Sequence, residues 1–220
     1  MGTYDLFRKI SKSNLTSKQR TILQIQNDIL SDFEDIPSYQ TVTINNILRE
    51  VQIVNITKGD IETILSKPNE TFNLGDVIVW NNLIYLVIII DKDQQIQTRG
   101  QIQLCNNTLS ILKNNILHHI PCIIESNARF QDLRVDESRF INIPDDKITA
   151  RIPNNEITKD ISRNLIFKLN DYDNYKIISV NRVTEPGLII LKMEFVAEEA
   201  FEHNFVVEIL TGDSIEIQEN

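Results

Sequence analysis

The chain has 220 residues, a formal net charge of −9 and a pI near 4.9. That length allows one large domain or two small ones, and a hydrophobic share of 41% against 24% charged residues supports a packed core and excludes a disordered chain. The acidic balance excludes a nucleic-acid grip, which needs clustered Lys and Arg to displace counterions from phosphates.

A basic start, Arg8, Lys9, Lys12, Lys18 and Arg20, leads into the first element. Residues 16–33 read TSKQRTILQIQNDILSDF. Thr16 and Gln19 form a capping-box pattern, and Ile22, Ile25, Ile29 and Phe33 fall on one face at helical spacing. Leu23 and Leu30 widen that stripe, and Pro37 ends the segment. The period then changes to two. Residues 40–44 and 48–54 read as strands, with Asn45 and Asn46 between them supplying the positive φ of a tight hairpin. Residues 58–66 (KGDIETILS) read as a short helix capped by Asp60 and closed by Pro68.

An antiparallel meander follows: strands at 77–80, 83–90, 96–104 and 108–112, with turns at Asn81 and Asn82, at 91–94, and at Asn106 and Asn107. The run 83–90 (LIYLVIII) has no charge. It reads as the central strand of the meander, buried on both faces, and it is far shorter than the ~20 residues of a membrane-crossing helix. Residues 125–155 hold Arg129, Arg134, Arg139 and Arg151 among carboxylates, with two prolines and little periodicity. A long irregular segment of this kind suits an arm that orders against a partner, and Arg129, Phe130, Arg134, Arg139 and Phe140 are its candidate interface residues. Short strands at 140–143 and 147–151 fit within it. The meander then recurs: strands at 164–169, 175–183 and 188–196, with turns at 170–174 and 184–187. Segments 68–104 and 153–196 share the order strand, polar turn, long apolar strand, glycine, strand. This suggests two similar small β units, each curling to hide its edges. A last hairpin reads through 205–218.

The expected architecture is therefore mainly β: an N-terminal helical segment over 1–37, a first β-domain over 38–124, an extended arm over 125–155, and a second β-domain over 156–220. Each β-domain is expected to be a small antiparallel barrel or sandwich.

Few groups suit catalysis. His118 and His119 are neighbours on a strand and point to opposite faces, and His203 stands among glutamates. Asp91 with Asp93, and Asp171 with Asp173, echo the start of a calcium loop but lack its glycine and closing glutamate. Cys105 and Cys122 have no metal spacing and do not form a disulfide framework. No phosphate-binding loop, dinucleotide fingerprint, nucleophile elbow or HExxH motif occurs. The N-terminus has no apolar signal-peptide core. The expectation is a non-enzymatic protein without cofactor or metal.

Several blocks carry a family resemblance. TYDLFRKISKSN, KPNETFNLGDVIVWNNLIYLV, RGQIQLCNNTLSI and VTEPGLIILKM together resemble a family of tailed-bacteriophage structural proteins from phages and prophages of AT-rich Gram-positive bacteria. Isoleucine, about one residue in six, agrees with an AT-rich source. The resemblance implies a minor structural or head–tail connector protein of the head-closure or neck type. It would be a subunit of a homo-oligomeric ring in the virion, made in the host cytoplasm and joining portal, adaptor, neck or tail-terminator proteins. DNA would only pass through its channel, past acidic groups such as Glu198, Glu199, Glu202, Asp91 or Asp93, and no membrane is involved. Other roles left open are head decoration, tail association, or a soluble binder or enzyme with a pocket between the two β units.

Overall fold

A computed structural model describes residues 15–55, 60–91, 95–113, 116–126, 147–169, 173–196 and 208–209. The fold is mainly β, with one N-terminal helix.

Helix α1 spans Ser17–Asp32, and Thr16 caps it. The Thr16 hydroxyl accepts from the Gln19 backbone N–H while the Gln19 side chain accepts from the Thr16 N–H, so two otherwise orphaned donors are satisfied. The helix ends at Phe33, which is fully buried. Its ring meets Tyr39 edge-on at 6.1 Å and carries the Lys67 ammonium 5.4 Å above it. Lys67 pairs in turn with Glu50.

The first unit is a closed six-stranded barrel built from β1 (Tyr39–Ile44), β2 (Ile47–Asn55), β3 (Ile61–Ser66), β4 (Val77–Trp80), β5 (Leu83–Ile90) and β6 (Arg99–Leu104). The strands are ordered β1-β2-β3-β6-β5-β4, and the β1–β4 pairing closes the ring. Its hairpins turn where expected: Asn45 and Asn46 have φ of 48° and 67°, Asn81 and Asn82 of 50° and 61°. Asparagine tolerates this left-handed region better than any other residue with a side chain. Val42, Ile44, Val51, Ile53, Ile64, Phe72, Ile78, Tyr85, Val87 and Ile102 fill the interior.

The second unit is a curled sheet of β7 (Asn107–Lys113), β8 (Ile116–Ser126), β9 (Lys147–Pro153), β10 (Ile166–Lys168), β11 (Asn174–Asn181) and β12 (Leu188–Val196), with β13 (Glu208–Ile209) added in parallel along β7. The order is β10-β11-β12-β9-β8-β7-β13. Across the gap, Cα atoms of β10 and β7 come within 8 Å. Leu109, Ile111, Ile120, Ala150, Ile152, Phe167, Ile177, Ile189, Leu191 and Met193 form its core.

Numbered within each unit, both follow the same strand order, 1-2-3-6-5-4, antiparallel throughout. The likeness extends to detail. The fifth strand is irregular against the sixth in both, between Val87 and Ile89 in one and between Ile177 and Ser179 in the other. Tyr85 faces Leu104 as Tyr175 faces Phe195. The recurring meander is thus β4-β5-β6 and β10-β11-β12. These registers match Gly100 with Leu191, not with Gly187.

Several expectations are corrected. Residues 61–66 form strand β3, not a helix, because β2 and β6 flank them and bury Ile64 and Ser66. Asn106 and Asn107 make no hairpin; there the chain leaves the barrel, and residues 107–126 pair within the second sheet. The division between units therefore falls near residue 105, not at 124. Within the segment read as an arm, 147–153 is an interior strand between β12 and β8. Arg129, Phe130, Arg134, Arg139 and Phe140, and the strand read at 140–143, lie outside the described residues, as does the last hairpin apart from β13.

The run 83–90 is the central strand of its meander but is buried only in the middle. Tyr85 and Val87 point into the barrel, while Leu86 points outward and is fully buried. What lies against Leu86 is the second unit. With Ile123 and Leu188 it forms a small third core, flanked by Leu74, Val77, Ile88 and Cys105. Leu83, Ile84 and Ile89 stay exposed.

Candidate functional site

The two units meet at backbone distance. Gly75 and Gly187 both have positive φ, 84° and 110°. A Cβ on Gly75 would overlap the Gly187 carbonyl, and one on Gly187 would overlap the Leu74 carbonyl. Only glycine permits this approach and this backbone without strain. The contact forms the floor of a crevice of about 440 Å³. Its walls are the Asn45–Asn46 turn, Leu74 to Val77 and Val79 on one side, and Pro153, Asn154, Asn155 and Gly187 on the other.

The polar wall is held in place by hydrogen bonds. The Asp76 carboxylate accepts from Asn45 Nδ2 at 2.8 Å and from the Asn73 backbone N–H at 2.7 Å. Asn45 Oδ1 accepts from the Val77 N–H at 3.0 Å. Within the opposite wall the Asn154 N–H donates to the Gly187 carbonyl at 2.8 Å. Among the described residues of the lining, Asp76 is the only charged group.

Beside the crevice the outer barrel face carries an apolar row. Strand register aligns Leu48 with Thr43, Thr43 with Val79, and Val79 with Ile84. Leu48 is 72% exposed, Val79 39% and Ile84 40%. One step along the same face, Val77 and Leu86 are covered by the second unit. The row is therefore the uncovered continuation of the inter-unit contact. Ile47 and Leu83 add exposed apolar surface at the hairpin ends.

Groups with chemical potential elsewhere are occupied structurally. Burial pushes both thiols, Cys105 and Cys122, up to about 12, far from the thiolate that reactivity requires. His119 Nδ1 sits 3.1 Å from the Ser110 hydroxyl, while His118 faces Ile111 in the register. The Lys113 ammonium, nearly buried, donates to Asp160 and to the Glu156 carbonyl, both at 2.6 Å. That cation holds the Asp160 carboxyl below its usual range. The Trp80 ring packs against Tyr85 at 5.7 Å, tilted by 45°, and donates from Nε1 to Gln40. Among the described residues no group of three or more His, Cys, Asp or Glu side chains is placed to hold a metal ion, and no helix is long and apolar enough to cross a membrane.

The sequence gives no sign of the crevice or of the exposed row. Leu48, Val79 and Ile84 look like any strand residues, and only barrel closure turns them outward on one row.

Fold and surfaces define a mainly-β protein of two like barrel units meeting along an apolar seam. Residues 107–194, strands β7 to β12 of the second unit, match the family model of the YomX C-terminal domain. That name is typical of phage and prophage proteins, and the match, over less than half of the chain, supports a phage-related protein. The matched span starts at the first residue of β7, where the chain enters the second unit. No curated protein and no solved structure matches the chain.

Proposed function

We propose that the chain is a non-enzymatic structural protein of a phage particle, a head–tail connector subunit that forms a ring at the neck. The match of residues 107–194, most of the second unit, to a domain named from phage proteins carries this reading. The surfaces support it. The first β unit exposes an apolar row, the kind of surface a subunit uses to meet neighbours. Portal, adaptor or tail proteins would lie above and below, and the acidic chain would let DNA pass without adhering.

The test is localisation. Particles from an induced lysate are labelled with gold-tagged antibody against the chain. Gold at the head–tail junction is the expected result. Gold on the capsid or tail tip moves the role within the particle, and absence of the chain from the particle digest ends the structural reading.

A second reading has one observation in its favour: the crevice lies between the two units, where a soluble binder would hold a small ligand. Its single carboxylate already accepts two hydrogen bonds, which leaves few convergent polar groups for specificity.

A further inference from the structure

The contact between the two units is a partial overlap of two longer strips. On the first unit, the outer faces of β4 and β5 supply Val77 and Leu86, which the second unit covers. On the second unit, β8 supplies Ile123, buried in one cluster with Leu86. Cα atoms of β5 and β8 come within 8 Å. Both strips run on past the covered part. On the first unit they continue as Val79 and Ile84, with Leu48 in line through Thr43. On β8, residues two apart share a face, so Ile123, Pro121, His119 and Leu117 lie on one side. The β7–β8 ladder has no register shift, and the alternation therefore holds as far as Leu117. Burial falls along that side: Ile123 is buried, Pro121 half-buried, His119 exposed and Leu117 49% exposed.

The end of β8 also repeats a feature of the first unit. Asn45 and Asn46 lie between β1 and β2, and Asn114 and Asn115 between β7 and β8. An isoleucine and a leucine follow each pair, Ile47 with Leu48 and Ile116 with Leu117. The registers match: Ile47 faces Ile44 as Ile116 faces Lys113. All four aliphatic side chains are exposed, Ile116 by 59%. Aliphatic residues grouped on a surface mark a contact that the free chain leaves unmade. Within one chain the two uncovered ends do not meet, since both are exposed. Leu117 stands six residues along β8 from Ile123, roughly 20 Å from the seam.

We propose that the Leu48–Val79–Ile84 row of one copy takes the Leu117 end of β8 from a second copy. The contact repeats between copies the one that joins the units within a chain: an outer β4–β5 face against an outer β8 face. Because the two patches differ, it is head-to-tail and repeats in one direction until a ring closes. This names the subunit contact of the proposed ring and rests on that reading for its biological setting.

The experiment uses three full-length chains: the wild type, Val79→Glu on the row, and Leu117→Glu on β8. Mass is followed by analytical ultracentrifugation. The wild type self-associates. Each variant alone is monomeric, its association weakened about a hundredfold or more. An equimolar mixture of the two variants gives a discrete dimer, because one intact β8 end then meets one intact row. A wild type that stays monomeric at about 1 mM overturns the contact. So does a mixture that remains monomeric. So does either variant if it still self-associates; persistence in Leu117→Glu alone would indicate rows pairing about a two-fold axis. Thermal melts check that both variants fold. Leu48→Glu replaces Val79→Glu, and Ile116→Glu replaces Leu117→Glu, if either melts early. Outcomes for the two proposals separate cleanly. A heterodimer with no chain in the particle removes only the virion role, and a chain in the particle with no heterodimer removes only this contact.

Discussion

Replacing Gly187 by alanine tests the claim that the two units are locked by backbone contact. A Cβ there would overlap the Leu74 carbonyl oxygen and stand 2.8 Å from its carbon, against 3.4 Å or more in ordinary contact. The obstacle is main chain, so no rotamer change relieves it; the two units must separate. The positive φ of 110° adds about 1 kcal/mol for any residue with a side chain. Overpacking a tight contact costs about 1–3 kcal/mol, often more when backbone must move. Separation also loosens the small core of Leu86, Ile123 and Leu188, each at most 1% exposed. Partial loss of that burial adds roughly 1–2 kcal/mol. The expected total is about 3–6 kcal/mol in urea unfolding, where values above 4 are exceptional. The form of the transition matters as much as its midpoint. The cost falls on the seam, so the variant should unfold in two steps while each unit keeps its own core. Gly75→Ala should behave alike, since its Cβ would meet the Gly187 carbonyl from the other side. A Gly187→Ala chain within 0.5 kcal/mol of wild type, unfolding in one step, would refute the reasoning.

Other expectations follow from single contacts. Thr16→Ala removes the helix cap and should cost about 1 kcal/mol, read as lost helical signal in far-UV circular dichroism. Asn82→Ala places alanine at φ 61° and should destabilise the barrel by roughly 1 kcal/mol, whereas Asn82→Gly should be neutral or better. The Asp160 carboxyl is held below its usual value by Lys113, so its contribution is complete above the unfolded pKa near 3.9 and is lost as pH falls through the folded value. Asp160→Asn should therefore lower the melting temperature at pH 7, and the gap to wild type should close below pH ~4. With Asp160 34% exposed, the gap should not exceed about 2–4 °C, corresponding to ~1 kcal/mol in a chain of this size.

Local chemistry alone determined the helix, its cap and its stop, and both Asn-Asn hairpins, because each depends on a few adjacent residues. It also determined β5 and β12, whose long apolar runs no other element suits. The recurrence of the meander was legible for the same reason: strand, turn and strand repeat within about forty residues. Tertiary structure decided the rest. Residues 61–66 look helical alone and are a strand because two neighbours supply backbone partners on either edge. Residues 107–126 look like the barrel's next hairpin, yet β8 pairs with β9, some twenty residues further along the chain, in the second sheet. Sequence cannot show this, since strand partners are chosen by closure and burial over long separations, not by the strands' own residues. The same limit hid the seam. Gly75 and Gly187 are 112 positions apart and become one contact only when the barrel and the curled sheet pack, and that packing buries Leu86 while leaving Ile84, two residues earlier on the same face, exposed.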